Sequence, residues 1–211
     1  MKFQALLAAA LMLFGTDSDA APSTSQWNFK VYLDDEAVGY HHYILTEEGE
    51  QRLLDSRAQF DVRFLGFKAY SYTHAAQEKW QKDCLAKLVA DTDDNGDRFH
   101  VTGQADTETF ALETGGRQQN LNGCIMSFAY WNPTMLKQNR LLNPQNGEYL
   151  PVSITERGTE TIRYRGQPTP ARRYHLKSPK FEIDLWYSSR GEWLALDSSL
   201  ENGSKLKYRI E

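Results

Sequence analysis

The sequence predicts an all-β protein: a strongly curved antiparallel sheet or half-open β-barrel, with one short helix near residues 133–138. Three observations predict it. Apolar and polar residues alternate along several segments, the period-two pattern of strands with one buried face. Turn residues punctuate these segments at short, even intervals, as in sheets that curl or close. Only one segment carries a helix-start signal, and neither a fixed repeat nor a low-complexity tract interrupts the pattern.

The elements follow in order. Trp27, Phe29, Val31 and Leu33 alternate with Asn28, Lys30, Tyr32 and Asp34, which marks a half-buried strand. Asp34-Asp35-Glu36 reads as a turn, 38–45 as a second strand, and Glu47-Glu48-Gly49-Glu50 as the next turn. Ala58, Phe60, Val62 and Phe64 alternate with Arg57, Gln59, Asp61 and Arg63, the cleanest strand in the chain. Residues 67–74 continue as another, with Gly66 at a bulge or bend. The stretch 75–90 is ambiguous. Ala76, Trp80, Cys84 and Leu88 fall four apart, which suits a helix, yet both flanks are strands. The hairpin signal Asn95-Gly96 favours strands, because type I′ turns need positive φ at both central residues. Residues 84–91 therefore read as a strand paired with 98–104. Asn132 before Pro133 is an N-cap followed by proline at the first helical position, which starts the short helix. Residues 143–147 form a loop. Strands follow at 149–154, 160–165, 172–176, 181–187, 193–197 and 206–210, separated by Gly158, Gly166, Pro179, Gly191 and Gly203.

The first twenty residues address compartment. Lys2 precedes an apolar run over 3–14, and Ser18 and Ala20 stand at the −3 and −1 positions of a small-residue cleavage site. This is the pattern of a secretory signal peptide cut after Ala20, leaving 21–211 as a single β domain. The apolar run is too short to span a bilayer, so the expected product is soluble, exported and periplasmic. A net charge of −4 without a basic cluster excludes ordinary nucleic-acid binding, which needs concentrated Lys and Arg. Two cysteines, Cys84 and Cys124, read as one disulfide in an oxidising compartment. Closing their 40-residue loop is worth about 3–4 kcal/mol on the chain-entropy account.

Catalytic and metal patterns are sparse. Asp91-x-Asp93-x-Asn95-Gly96-Asp97 matches the first half of a calcium loop, but its twelfth position is Thr102, which supplies no bidentate carboxylate; an acidic hairpin tip is the simpler reading. His41 and His42 are adjacent and point to opposite faces of a strand, so they cannot share a metal. His74, on the face of Tyr70 and Tyr72, reads as a tyrosine partner, and His100 and His175 as polar or surface residues. There is neither a G-x-S-x-G elbow nor a phosphate-cradling glycine loop. Glu78 and Asp83 show no reason to be buried, so acid–base work is not assigned to them. No metal or cofactor is expected. The densest aromatic patch is 128–136; core packing is its ordinary explanation. The functional alternative is an apolar cavity lined by Phe128, Tyr130, Trp131, Asn132 and Met135, with Tyr130 and Asn132 orienting a ligand.

Several motifs resemble those of a family of exported bacterial proteins, domain of unknown function DUF 6134. They are Glu78-x-Trp80, Cys84-Leu85, Thr92-Asp93-Asp94-Asn95-Gly96, Tyr130-Trp131-Asn132 and the run 141–147. The closing pattern Asp184-Leu185-Trp186-Tyr187, Trp193-Leu194-x-Leu196 and Tyr208 completes the resemblance. It departs from the family pattern at Asp83-Cys84-Leu85, where many members have Gly-Arg-Leu, which implies that the disulfide belongs to a subset. The ending is also similar to DUF 3108 and, more distantly, to the half-barrels of periplasmic lipoprotein carriers. Those likenesses imply a concave sheet capped by a helix around an amphiphilic ligand, and fold alone does not fix function.

Three functions follow as expectations. The first is a non-enzymatic periplasmic binder or carrier of a lipid or acyl chain. The second is an envelope scaffold or assembly factor that binds another protein. The third is an enzyme whose residues converge only in three dimensions, with His41, His74 and Glu78 as the first group to inspect.

Overall fold

The structure is a computed structural model and describes residues 21–64, 67–200 and 203–211. The leader with its Ala20 cleavage site and the Gly66 bend lie outside the described residues. The first half of the chain contributes β1 (Ser23–Leu33), β2 (Glu36–Glu48), β3 (Gln51–Phe64), β4 (Phe67–Gln81), β5 (Cys84–Asp94), β6 (Asp97–Ala105), β7 (Thr109–Thr114) and β8 (Arg117–Asn122). A 3-10 turn at Pro133–Lys137 and the short pair β9 (Arg140–Leu142) and β10 (Tyr149–Pro151) follow. The second half contributes β11 (Ser153–Tyr164), β12 (Gln167–Lys177), β13 (Glu182–Tyr187), β14 (Trp193–Ser199) and β15 (Lys205–Arg209).

Thirteen of these strands make one antiparallel sheet in the order β11-β12-β13-β14-β15-β1-β2-β3-β4-β5-β6-β7-β8. Nearly every neighbour is joined by a hairpin; the exception is β15 beside β1, where the C-terminal strand returns to the first. The sheet does not close, and β8 and β11 are its two edges.

Period two explains the buried face. In β1, Trp27, Phe29 and Val31 are buried while the residues between are exposed. The hairpin of β5 and β6 turns on Asn95 and Gly96 at φ +53° and +101°, the type I′ geometry their sequence demands. Its register pairs Leu88 with Gly103. A Cβ at Gly103 would lie 2.2 Å from the Phe110 ring, so the glycine makes room for that buried phenyl group.

The structure differs from the sequence expectation at four places. The ambiguous stretch 75–81 is not helical but completes β4. The strands expected at 149–154 and 160–165 become a short β10 and one long β11, bulged between Glu156 and Thr159, where Gly158 takes φ +94°. Strands β7 and β8 occupy a stretch to which the sequence assigns no strand; β7 alternates, with Phe110 and Leu112 buried between more exposed residues, whereas β8 buries Leu121 alone. The expected short helix is a single 3-10 turn; Asn132 still caps it, accepting from the Thr134 N–H at 3.0 Å.

The segment between β8 and β11 lies inside the curl. Ile125, Met126, Met135, Leu141 and Leu142 are buried in the same core as residues from both halves of the sheet. Trp80 of β4 meets Trp131 edge to face at 5.5 Å between ring centroids, while the Tyr187 hydroxyl of β13 donates to the Tyr130 carbonyl at 2.7 Å. In a flat sheet β4 and β13 would stand roughly 30 Å apart, at about 4.8 Å per strand. Both reach adjacent residues of one segment because the sheet bends round it. The Cys84–Cys124 disulfide staples the start of this segment to β5, and the Leu85 N–H donates to the Ile125 carbonyl at 2.8 Å beside it. Among the described residues no helix is long and apolar enough to cross a membrane.

A candidate ligand-binding cavity with a polar floor

Between the crossing segment and the concave face lies a half-open cavity of about 200 Å³. Strand parity sets its floor. His41 and Tyr43 of β2, Ser56 of β3, and His74 and Glu78 of β4 stand on the inner face of three adjacent strands. Tyr208 of β15 and Leu196 of β14 extend the wall, and Phe128, Tyr130 and Trp131 cover it from the crossing segment.

The floor is polar, buried and internally bonded. His41 is 5 % exposed; its Nε2 lies 2.8 Å from the Ser56 hydroxyl, and its Nδ1 lies 3.1 Å from the Tyr43 hydroxyl. His74 Nδ1 lies 2.9 Å from the Thr92 hydroxyl. The Trp80 indole N–H donates to Glu78 Oε2 at 2.9 Å, and the Ser127 hydroxyl donates to the same oxygen at 3.1 Å. Burial sets the charge state of these groups. It lowers the His41 imidazole well below its ordinary value, with His74 and His42 adding to the effect. It lowers His74 to about 4, against a weaker opposite pull from Asp91. It pushes the Glu78 carboxyl up to about 7, despite the hydrogen bonds from Ser127 and Trp80 that favour its ionised form. Burial likewise raises the hydroxyls of Tyr43, Tyr130 and Tyr208. Near neutral pH the histidines and tyrosines are uncharged and Glu78 stands at the edge of ionisation.

The expectation that Glu78 has no reason to be buried is therefore corrected. Its strand continues past His74, and inner-face parity carries Ala76, Glu78 and Trp80 into the core. Asp83 is half-exposed outside the core; hydrogen bonds from Arg52 and Asn132 hold its carboxyl below the usual range. Of the residues named for a ligand site, Phe128, Tyr130 and Trp131 line the cavity. Asn132 turns to Asp83 and to its own cap, and Met135 is fully buried in the core. His41, His74 and Glu78, named as the first group to inspect for an enzyme, do converge on this one cavity. His42 is exposed, on the opposite face from His41. The Asp91–Asp97 tip is engaged internally: Asp91 pairs with His100 at 2.7 Å, Asp93 accepts from the Gly96 N–H at 2.8 Å, and Asp94 accepts from Tyr70 at 2.6 Å. Among the described residues no three metal-ligating side chains gather to hold an ion.

Chemically, Ser56 and His41 have the spacing of a nucleophile and its base, but the histidine's other nitrogen faces tyrosine hydroxyls rather than an orienting carboxylate. Strand β3 is paired on both sides, so the backbone amides around Ser56 are engaged in ladders and leave no oxyanion hole beside it. The Trp131 indole Nε1, at the same cavity, is buried and has no acceptor among the described residues.

Fold and site together define an open antiparallel half-barrel with an internal, partly polar cavity under a crossing segment. The chain belongs to the family described as domain of unknown function DUF6134, whose model matches residues 29–211. Among solved structures it is similar to a β-barrel-like protein of domain of unknown function DUF1849 from Brucella abortus, with a TM-score of 0.65 and 8% identity, over 88% of this chain and 97% of that one. At that identity the likeness is one of fold alone. No curated protein matches the chain.

Proposed function

We propose that the chain is an exported, periplasmic, non-enzymatic binder or carrier of a small amphiphilic ligand. The observation that carries this reading is the cavity itself. One wall is aromatic and aliphatic, with Phe128, Phe181, Ile183 and Leu196; the floor offers hydrogen bonds from His41, Ser56 and Glu78. A mostly apolar hollow with a few convergent polar groups is the usual form of a small-molecule site. Its volume of about 200 Å³ is below the roughly 300–1,000 Å³ of sites that enclose a drug-sized ligand. It therefore takes a short ligand whole, or one end of a longer acyl chain. The leader pattern and the disulfide support an oxidising, extracytoplasmic compartment.

The test is a comparison of wild-type protein with Trp131→Ala, each exported through its own leader, purified without denaturant and weighed intact by native mass spectrometry. The wild type is expected to carry a bound small molecule, and Trp131→Ala about ten-fold less of it. Circular dichroism confirms that the variant is folded, and Trp131→Phe, which keeps the edge contact with Trp80, supplies a milder second substitution. Equal loading of wild type and a folded Trp131→Ala would overturn the assignment of this cavity.

A further inference from the structure

We propose that the ligand end received by this cavity is a protonated amine, held by the Glu78 carboxylate and the surrounding aromatic faces, and that carboxylate and phosphate heads are turned away. The inference rests on the binding reading above and names the chemistry of its ligand.

The charges on the wall carry the argument. Among the described lining residues Glu78 is the one carboxyl, and no Lys or Arg is present. Arg52 is the cation behind Trp131, 5.0 Å from its ring, but its guanidinium is held by Asp83 at 2.8 Å. The two histidines are engaged by hydroxyl groups, His41 by Ser56 and Tyr43, His74 by Thr92. A carboxylate or phosphate placed on this floor would be buried without a counter-charge, beside a carboxyl group of its own sign. Burying an unpaired charge is among the costliest steps in protein chemistry.

An ammonium group meets the opposite conditions. Both donors to Glu78, from Trp80 and Ser127, end on Oε2, which leaves Oε1 for a ligand. Burial alone holds the Glu78 proton near neutral pH, so an arriving cation displaces it at little cost and gains an ion pair in a low-dielectric site. Rings of Tyr43, Phe128, Tyr130, Trp131, Phe181 and Tyr208 line the same hollow. Their faces attract a cation, and more strongly once it is desolvated. A neutral alcohol gains the hydrogen bond to Glu78 but neither of the charge-dependent terms.

Isothermal titration calorimetry at pH 7.5 with n-octylamine, 1-octanol and n-octanoate, each below its aggregation limit, tests the inference. The three probes share a chain and differ in head charge. Octylamine is expected to bind about ten-fold more tightly than 1-octanol, and octanoate to give no measurable binding. Glu78→Gln, which keeps an acceptor for Trp80 and Ser127, is expected to remove most of that roughly ten-fold advantage and leave only what the aromatic faces supply. Octanoate or 1-octanol binding as tightly as octylamine would overturn the inference and leave the binding reading standing. So would an amine preference undiminished in Glu78→Gln, since it would not come from this carboxylate. Failure of all three probes would remove both.

Discussion

Trp80→Ala is expected to lower the free energy of unfolding by about 3–5 kcal/mol, the range for truncating a fully buried tryptophan. Trp80 is 0 % exposed. Its ring meets Trp131 edge to face, and its N–H is one of two donors to the Glu78 carboxyl. Alanine therefore leaves a cavity at the junction of sheet and crossing segment. It also removes half of the hydrogen bonding that steadies a buried acid, and a buried acceptor left short of a donor adds its own cost. The Cys84–Cys124 bridge constrains the unfolded chain equally in both proteins, so the difference reports the folded state. Urea denaturation under oxidising conditions measures it. A loss below about 1 kcal/mol would show that Trp80 is not the central packing residue described here.

Glu78→Gln is expected to change the pH dependence of stability. The Glu78 carboxyl sits at about 7 in the folded protein against 4.5 for an ordinary glutamate. Between those values the folded state holds a proton that the unfolded chain has released, so this group makes stability fall as pH rises from 4.5 to 7. The buried histidines act in the opposite sense. His74 titrates near 4 rather than 6.5. The stability it contributes is present above pH 6.5 and is lost as pH falls toward 4, and His41 shifts in the same direction. In wild type the two trends oppose each other across the mildly acidic range, and only the Glu78 loss continues past the histidines' ordinary value. Glu78→Gln removes that loss. The variant is expected to match wild type within about 1 kcal/mol at pH 4 and to exceed it by on the order of 2 kcal/mol at pH 8. Chemical denaturation at the two pH values measures both. A variant no more stable than wild type at pH 8 would mean that Glu78 is ionised at no cost and is not buried as described.

Particular residues show where the fold is legible in the chain. Asn95-Gly96 announces its hairpin because few other pairs accept two positive φ values. Asn132 announces its cap through a side chain that finds the Thr134 N–H. The adjacency of His41 and His42 alone separates a buried imidazole from an exposed one. Residues 75–81 were ambiguous because Ala76, Trp80, Cys84 and Leu88 satisfy a four-residue spacing. Yet Ala76, Glu78 and Trp80 share even parity, so extending the strand would have placed Glu78 inside. Strands β8 and β11 lie at the sheet edges with mostly exposed residues on both faces, and a strand without a buried face has no alternation to read.

The site was legible in part for the same reasons. Phe128, Tyr130 and Trp131 stand out as a local aromatic run. Met135 is near them in sequence, but the tight 3-10 turn directs it into the core. Ser56 carried no local signal, and the motif that holds Tyr208 says nothing of what it meets. Tyr208 comes to within 3.5 Å of His41 across 167 residues, because the last strand returns to the first and the sheet curls. No motif of fixed spacing encodes such a meeting.

The central claim, that the inner-face cavity is the binding site, is tested most directly by the imidazole resonances of the five histidines. His41 and His74 line the cavity, whereas His42, His100 and His175 do not. NMR spectra of histidine-labelled protein, recorded during titration with n-octylamine, are expected to show the His41 and His74 signals moving together to saturation while the other three stay in place. Movement confined to His42, His100 or His175, or no movement at saturating probe, would place any binding elsewhere and contradict the account.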